Sequence, residues 1–234
     1  MMVLTTKKLK IEMVHDIVCS WCPIGYNNIK AAIDNLDIDV DFHFLPWELN
    51  PNMADAGESI ASYFSRQMGW NEDKLIEYQK SLVATAAKAG VSIDFSKRTG
   101  YYHTRNAHLL MHWAEQFDKQ NELNERLIKA YFSEGSDISN LTVLLNIAEK
   151  LGLDRQATKA ALSSRHLSQE LDKKVSRIKT LNISSIPAFI VNKNILLSGS
   201  NSVQYFENTL LEIINESISK QIPIEGNSKY PQLT

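Results

Sequence analysis

Apolar and polar residues alternate in two short stretches near the amino terminus. Leu9, Ile11 and Met13 are separated by Lys10 and Glu12, and Ile38, Val40, Phe42 and Phe44 by Asp39, Asp41 and His43. A period of two puts every other side chain on one face, so each stretch predicts a strand, the first ending near Asp16. Between them Ile29, Ile33 and Leu36 recur at helical spacing. This opening predicts strand, helix, strand, which is a βαβ unit.

The pattern then changes. From about Ser59 to Leu181 the apolar residues fall on helical stripes, and little reads as strand. Leu75, Tyr78 and Leu82 form one stripe, closed by Gly90 at a helix-stop position. Ala107, Met111 and Ala114 form another, and Leu123, Leu127 and Tyr131 a third. Asn140 is placed to cap a helix running through Leu144 and Ala148 to Gly152, and Asp154 to cap a short one. Leu167, Leu171, Val175 and Ile178 make the last long stripe.

Strand signals return after Pro187. Ala188–Val191 and Ile195–Leu197 flank the turn Asn192-Lys193-Asn194 and predict a hairpin. Val203, Phe206, Leu210 and Ile213 then share one helix face. With the helical block set aside, βαβ followed by ββα is the thioredoxin fold, an α/β class. The predicted division is residues 1–50 and 184–220 for that fold, 51–183 for an inserted all-helical domain, and 221–234 for a loosely held tail.

Composition changes this picture little. The 234 residues are 44% hydrophobic and 22% charged, enough apolar material for a core without staples. The net charge of −2 shows no bias toward nucleic acid or an anionic membrane. The apolar stretch near the amino terminus is broken by Glu12, His15 and Asp16, so it does not form the apolar core of a signal peptide. We expect a cytoplasmic protein, in whose reducing surroundings a disulfide is a working one.

Chemistry enters with the cysteines. There are two in the chain, Cys19 and Cys22, in Cys19-Ser20-Trp21-Cys22 at the predicted strand–helix junction. A thiol attacks as thiolate, and the unpaired N–H groups at the amino end of a helix stabilise a negative sulfur at Cys19. Cys22, one turn deeper, is expected to be less exposed and within reach of Cys19. This predicts Cys19 as attacking and Cys22 as resolving sulfur. Pro23 falls in the first turn, where a missing N–H matters least. Ser20 and Trp21 are candidates to tune the pair, by a hydroxyl donor and by a shielding indole. The weaker readings are a half zinc site completed by His15 or by His108 and His112, and an inert buried pair. We expect His108 and His112 to flank the apolar stripe, partly exposed. Asp16 reads as a solvated strand-end charge in preference to a buried proton acceptor for Cys22.

Pro187, preceded by Ile186, starts a strand and in this fold faces the dithiol. If the Ile186–Pro187 bond is cis, the backbone of Ile186 is free to pair with an extended substrate. Ile186 and Pro187 join Ser20 and Trp21 as candidate substrate-binding residues.

Several segments carry a family resemblance. The run from Asp16 to Gly25, with Cys19-Ser20-Trp21-Cys22 at its centre, resembles the DsbA-like thioredoxin superfamily. The likeness is to its FrnE-like branch, related to 2-hydroxychromene-2-carboxylate isomerases and kappa-class glutathione transferases. Phe44-Leu45-Pro46-Trp47-Glu48-Leu49-Asn50-Pro51, Asn106-Ala107-His108, Ile186-Pro187-Ala188-Phe189 and Ser198-Gly199 are similar to that branch in order and spacing. The resemblance implies an inserted helical domain, a redox dithiol and a cis peptide before Pro187, and it is compatible with a homodimer. Ser20 stands where the branch usually has proline, and Pro23 where an aromatic is common, so the redox potential does not carry over.

The function expected is thiol–disulfide exchange on a disulfide-containing protein or a small thiol. No metal or tightly bound cofactor is expected, and glutathione is a candidate co-substrate. One alternative is a glutathione-dependent isomerase or transferase, against which Cys19 argues because those branches carry serine there. Another is a holdase-like binder using a groove lined by Trp21, Trp47 and Trp70.

Overall fold

The structure, a computed structural model, describes residues 8–221, with side chains through residue 216. The predicted tail beyond Gln221 lies outside the described residues. Strand β1 (Leu9–His15) leads through a tight turn into helix α1 (Cys22–Leu36), and β2 (Val40–Pro46) follows. A helical block comes next: α2 (Ile60–Met68), α3 (Glu72–Lys88), α4 (Arg105–Glu115), α5 (Gln120–Ile128), one π-helical turn (Lys129–Ser133), α6 (Leu141–Lys150), α7 (Arg155–Leu162) and α8 (Arg165–Lys179). The chain ends with the hairpin β5 (Ala188–Val191) and β6 (Ile195–Ser198), then α9 (Val203–Gln221). Two short strands, β3 (Glu58–Ser59) and β4 (Gly100–Tyr101), pair antiparallel inside the block. The strand patterning had not marked them.

The main sheet has the order β2-β1-β5-β6. β1 and β2 are parallel, with Met13 beside Phe44, and β5 runs antiparallel to β1, with Met13 beside Phe189. The period-two pattern now explains the two faces. Ile11, Met13, Phe44, Phe189, Val191 and Leu197 turn toward α1 and α9, meeting Ile29, Phe206 and Leu210. Val14, Leu45, Ala188 and Ile190 turn the other way, toward Ile178 of α8. This is the thioredoxin arrangement with a helical block between β2 and β5. The larger buried cluster continues from the sheet face into the block, through Ala107, Leu110, Leu123 and Leu127.

Local signals set the boundaries. Asn140 and Asp154 cap α6 and α7 by accepting from Val143 and Ala157 N–H groups, as their positions predicted. Gly90, at φ +71, ends α3 in the left-handed conformation that glycine adopts without penalty. The stripe Leu123–Tyr131 does not continue as α-helix. The chain widens into a π turn there, and Ala130, Tyr131 and Phe132 are all buried in it.

Candidate active site

Cys19 and Cys22 are both free and buried, at 6% and 2% exposure. Helix α1 starts at Cys22, with Trp21 as its amino-cap residue, so Cys19 sits in the turn before the helix rather than in it. That turn is closed by the Cys19 N–H on the Asp16 carbonyl at 3.1 Å and the Cys22 N–H on the Cys19 carbonyl at 3.1 Å. Pro23 occupies the first helical turn, where it removes no hydrogen bond.

The two sulfurs are driven apart electrostatically. Cys19 is held below the ordinary thiol range, chiefly because the Cys22 thiol donates to it. Burial opposes this, and the backbone N–H groups of Trp21 and Cys22 support it. Cys22 is pushed well above that range, first by burial and then by its bond to Cys19. Negative charge is favoured on Cys19 and disfavoured on Cys22.

Gly25, one turn into α1, brings this end of the helix against the loop before β5. A Cβ at Gly25 would lie 2.9 Å from Pro187 Cγ, closer than packing allows, and a tight 3.3 Å from Ser200 Cα. The Ile186–Pro187 bond is cis. The backbone of Ile186 has no backbone hydrogen-bond partner among the described residues, while the Pro187 carbonyl accepts from Gly199 at 2.8 Å. Ser20 is buried, Trp21 is 39% exposed, and Ile186 is half-buried. The Trp21 indole lies beside the hydroxyl of Tyr78 on α3. Trp70 stacks on Phe64, and Trp47 packs beside the smaller core cluster.

Two sequence expectations are corrected. Asp16 is fully buried, not solvated: the loop after β2 folds over it, and the Leu49 N–H donates to its Oδ2 at 2.7 Å. His108 is also buried, at 1% exposure, because α4 packs that face against the end of the sheet. Its Nε2 lies 3.1 Å from the Trp47 carbonyl and 3.3 Å from Asp16 Oδ1. A proton on Nε2 is directed to the carbonyl, which leaves Asp16 Oδ1 without a hydrogen-bond partner. His15 is held well below the usual histidine range, by burial first and by neighbouring His108 second. The β1 alternation contained that signal, since His15 shares its face with Ile11 and Met13. His112 is half-buried. Among the described residues no group of three or more His, Cys, Asp or Glu side chains is arranged to hold a metal ion.

Sequence reasoning also passed over Arg98, in the loop before β4. It is buried to 2%, and its Nη2 reaches the Val18 carbonyl at 3.4 Å. A charged residue next to Lys97 in a short loop carries no period that marks it as buried.

A four-stranded sheet with two cysteines at its central strand–helix turn, packed against a cis-proline loop, defines a thioredoxin-type thiol protein. A family model described as a DSBA-like thioredoxin domain matches residues 10–211, and the chain belongs to that family, whose members are oxidoreductases or isomerases acting on thiols and disulfides. The YwbO protein of Bacillus subtilis is 27% identical over 202 residues, 86% of this chain and 94% of that one. The fold is similar to that of a probable DsbA oxidoreductase, SCO1869, from Streptomyces coelicolor, at 19% identity and a TM-score of 0.82, covering 94% of both chains. It is also similar to the cytosolic disulfide reductase DsbM from Pseudomonas aeruginosa solved with GSH, at 15% identity and a TM-score of 0.58, covering 92% of this chain and all of that one. No described helix is long and apolar enough to cross a membrane.

Proposed function

We propose that the chain is a thiol–disulfide oxidoreductase in which Cys19 attacks and Cys22 resolves. The observation that carries this is the opposite displacement of two adjacent buried thiols, Cys19 toward thiolate and Cys22 toward thiol. The Cys19 thiolate attacks one sulfur of a substrate disulfide. The substrate S–S bond breaks, a mixed disulfide forms, and the other substrate sulfur leaves as thiolate. Cys22 then gives its proton to the Asp16 carboxylate and attacks the Cys19 sulfur. The second substrate thiolate departs, the substrate has gained two electrons, and Cys19–Cys22 is a disulfide. Run backward, the same steps oxidise a dithiol.

The unpaired backbone of Ile186, beside Pro187, offers an extended substrate a place to hydrogen-bond, and exposed Trp21 offers it an apolar surface. Disulfide-bearing polypeptides and glutathione both fit that description, and glutathione is the small thiol we assign to recycling. A cytoplasmic setting and the FrnE-like branch belong to this reading. The cytosolic disulfide reductase of the same fold supports the first, and the run Asp16–Gly25 supports the second. Cys22 speaks against the isomerase alternative, because a glutathione-dependent isomerase has no use for a second sulfur that resolves a mixed disulfide.

The test is the Cys19→Ser variant in an insulin-disulfide reduction assay. The expected result is loss of activity to background. Full retained activity would refute the proposal.

A further inference from the structure

Arg98 carries a buried charge that no carboxylate among the described residues neutralises. Its guanidinium carbon lies 4.7–5.3 Å from the ring centres of Phe95, Tyr101, Tyr131 and Phe132. Its Nη2 donates to the Val18 carbonyl at 3.4 Å, the Tyr101 and Tyr131 hydroxyls support its charge, and Nε has no hydrogen-bond partner. Taking a cation out of water without a counter-ion is strongly unfavourable, and contact with aromatic faces recovers part of that. The surrounding chain is shaped to hold it. The π turn delivers Tyr131 and Phe132 together. Gly135, at φ +70, sits where a Cβ would fall 2.3 Å from the Lys97 carbonyl. The Asp94 N–H donates to the Phe132 carbonyl at 2.8 Å, which ties the loop to that turn.

The cage is tied to the dithiol turn by the hydrogen bond from Arg98 to the Val18 carbonyl. Val18 is joined by its carbonyl to Cys19, and the Tyr78 and Tyr101 hydroxyls each lie within electrostatic range of both Arg98 and Cys19. Asp16, which opposes a negative sulfur at Cys19, is held by Leu49 and makes no ion pair with Arg98.

We propose that Arg98 is a positioning residue of the dithiol: its hydrogen bond fixes the Val18–Cys19 peptide, and its charge favours a negative sulfur at Cys19. This rests on the dithiol reading above. Only the reduced protein can carry negative charge on sulfur, so the cation favours the reduced state and raises the potential of the couple.

The experiment is a glutathione redox titration of the full chain, read by alkylation and mass, with a parallel ultraviolet titration of the Cys19 thiolate. In it, the protein disulfide and two glutathione thiols exchange for the dithiol and one glutathione disulfide. Arg98→Met is expected to move the equilibrium constant about tenfold toward the protein disulfide, about 30 mV in potential. Its thiolate should form at higher pH. Arg98→Lys, which keeps the charge, should stay nearer the wild type. If Arg98→Met does not fold, Arg98→citrulline, neutral and of the same shape, decides. A folded neutral variant with wild-type equilibrium and titration overturns the inference, since a purely structural role lowers melting temperature and moves neither. Failure of the wild type to form any Cys19–Cys22 disulfide overturns the dithiol reading itself, and this inference with it.

Discussion

Two parts of this molecule gather charge, and they treat it in opposite ways. Where β2, α4 and α8 meet, Glu115 is fully engaged: Oε1 with His43 at 3.1 Å, Oε2 with Lys174 at 2.6 Å and His112 at 3.3 Å. His43 in turn reaches Asp41 at 3.0 Å, and water still reaches the group. Around the dithiol, Asp16 and Arg98 are sealed from water, and each keeps a polar atom without a partner. The first arrangement follows the rule for stability, with its carboxylates set against lysine and histidine and part-solvated. The second violates it twice within one site. Such violations concentrate where a protein performs chemistry, because an unspent carboxylate can take a proton and an unspent cation can favour an anion.

Asp16→Asn breaks the comparison most sharply. Asparagine has the same shape, and its Oδ1 still accepts from the Leu49 N–H, so packing is kept. What disappears is the group we propose takes the proton from Cys22. General base catalysis contributes about a hundredfold or more, and we expect the mixed disulfide on Cys19 to persist about that much longer. The first attack should not slow, because Asp16 disfavours the Cys19 thiolate. The measurement is the lifetime of the trapped mixed disulfide by rapid acid quench and mass. A wild-type lifetime would reduce Asp16 to a structural group like Glu115.

The contrast also separates what a sequence reveals from what it hides. The strand alternation of Leu9–Met13 and Ile38–Phe44, the helix caps Asn140 and Asp154, and the hairpin after Pro187 were legible because each signal is local. The Cys19–Cys22 pair was legible for the same reason. The two-residue strands β3 and β4 are too short to carry a period. Asp16 and His108 were misjudged because their burial depends on residues 47–49, which fold over them from the loop after β2. Arg98 was invisible because its cage joins residues 95, 101, 131 and 132, and no chain pattern connects the two halves. Pairwise burial of polar groups is a tertiary property, and it is where this site differs from its surroundings.

Glu115→Gln tests the other side of the comparison, with a smaller effect. Its carboxyl is pulled from 4.5 to about 2, first by the hydrogen bond with His112, then by Lys174 and His43, against the opposing effect of burial. A depressed folded-state value means stability that is present above about pH 4.5 and lost as pH falls toward about 2. Unscreened, that shift corresponds to about 3 kcal/mol. The side chain is 32% exposed, so solvent screening reduces it to about 1 kcal/mol. The gap between urea midpoints measured at pH 7 and pH 3 should therefore be smaller in Glu115→Gln than in the wild type, where Glu12 and Asp41 supply the rest of it, while the rate of disulfide reduction is unchanged. If Glu115→Gln instead slowed reduction with its stability intact, the paired network would belong to the chemistry, and the division between a stabilising and a working region would fall.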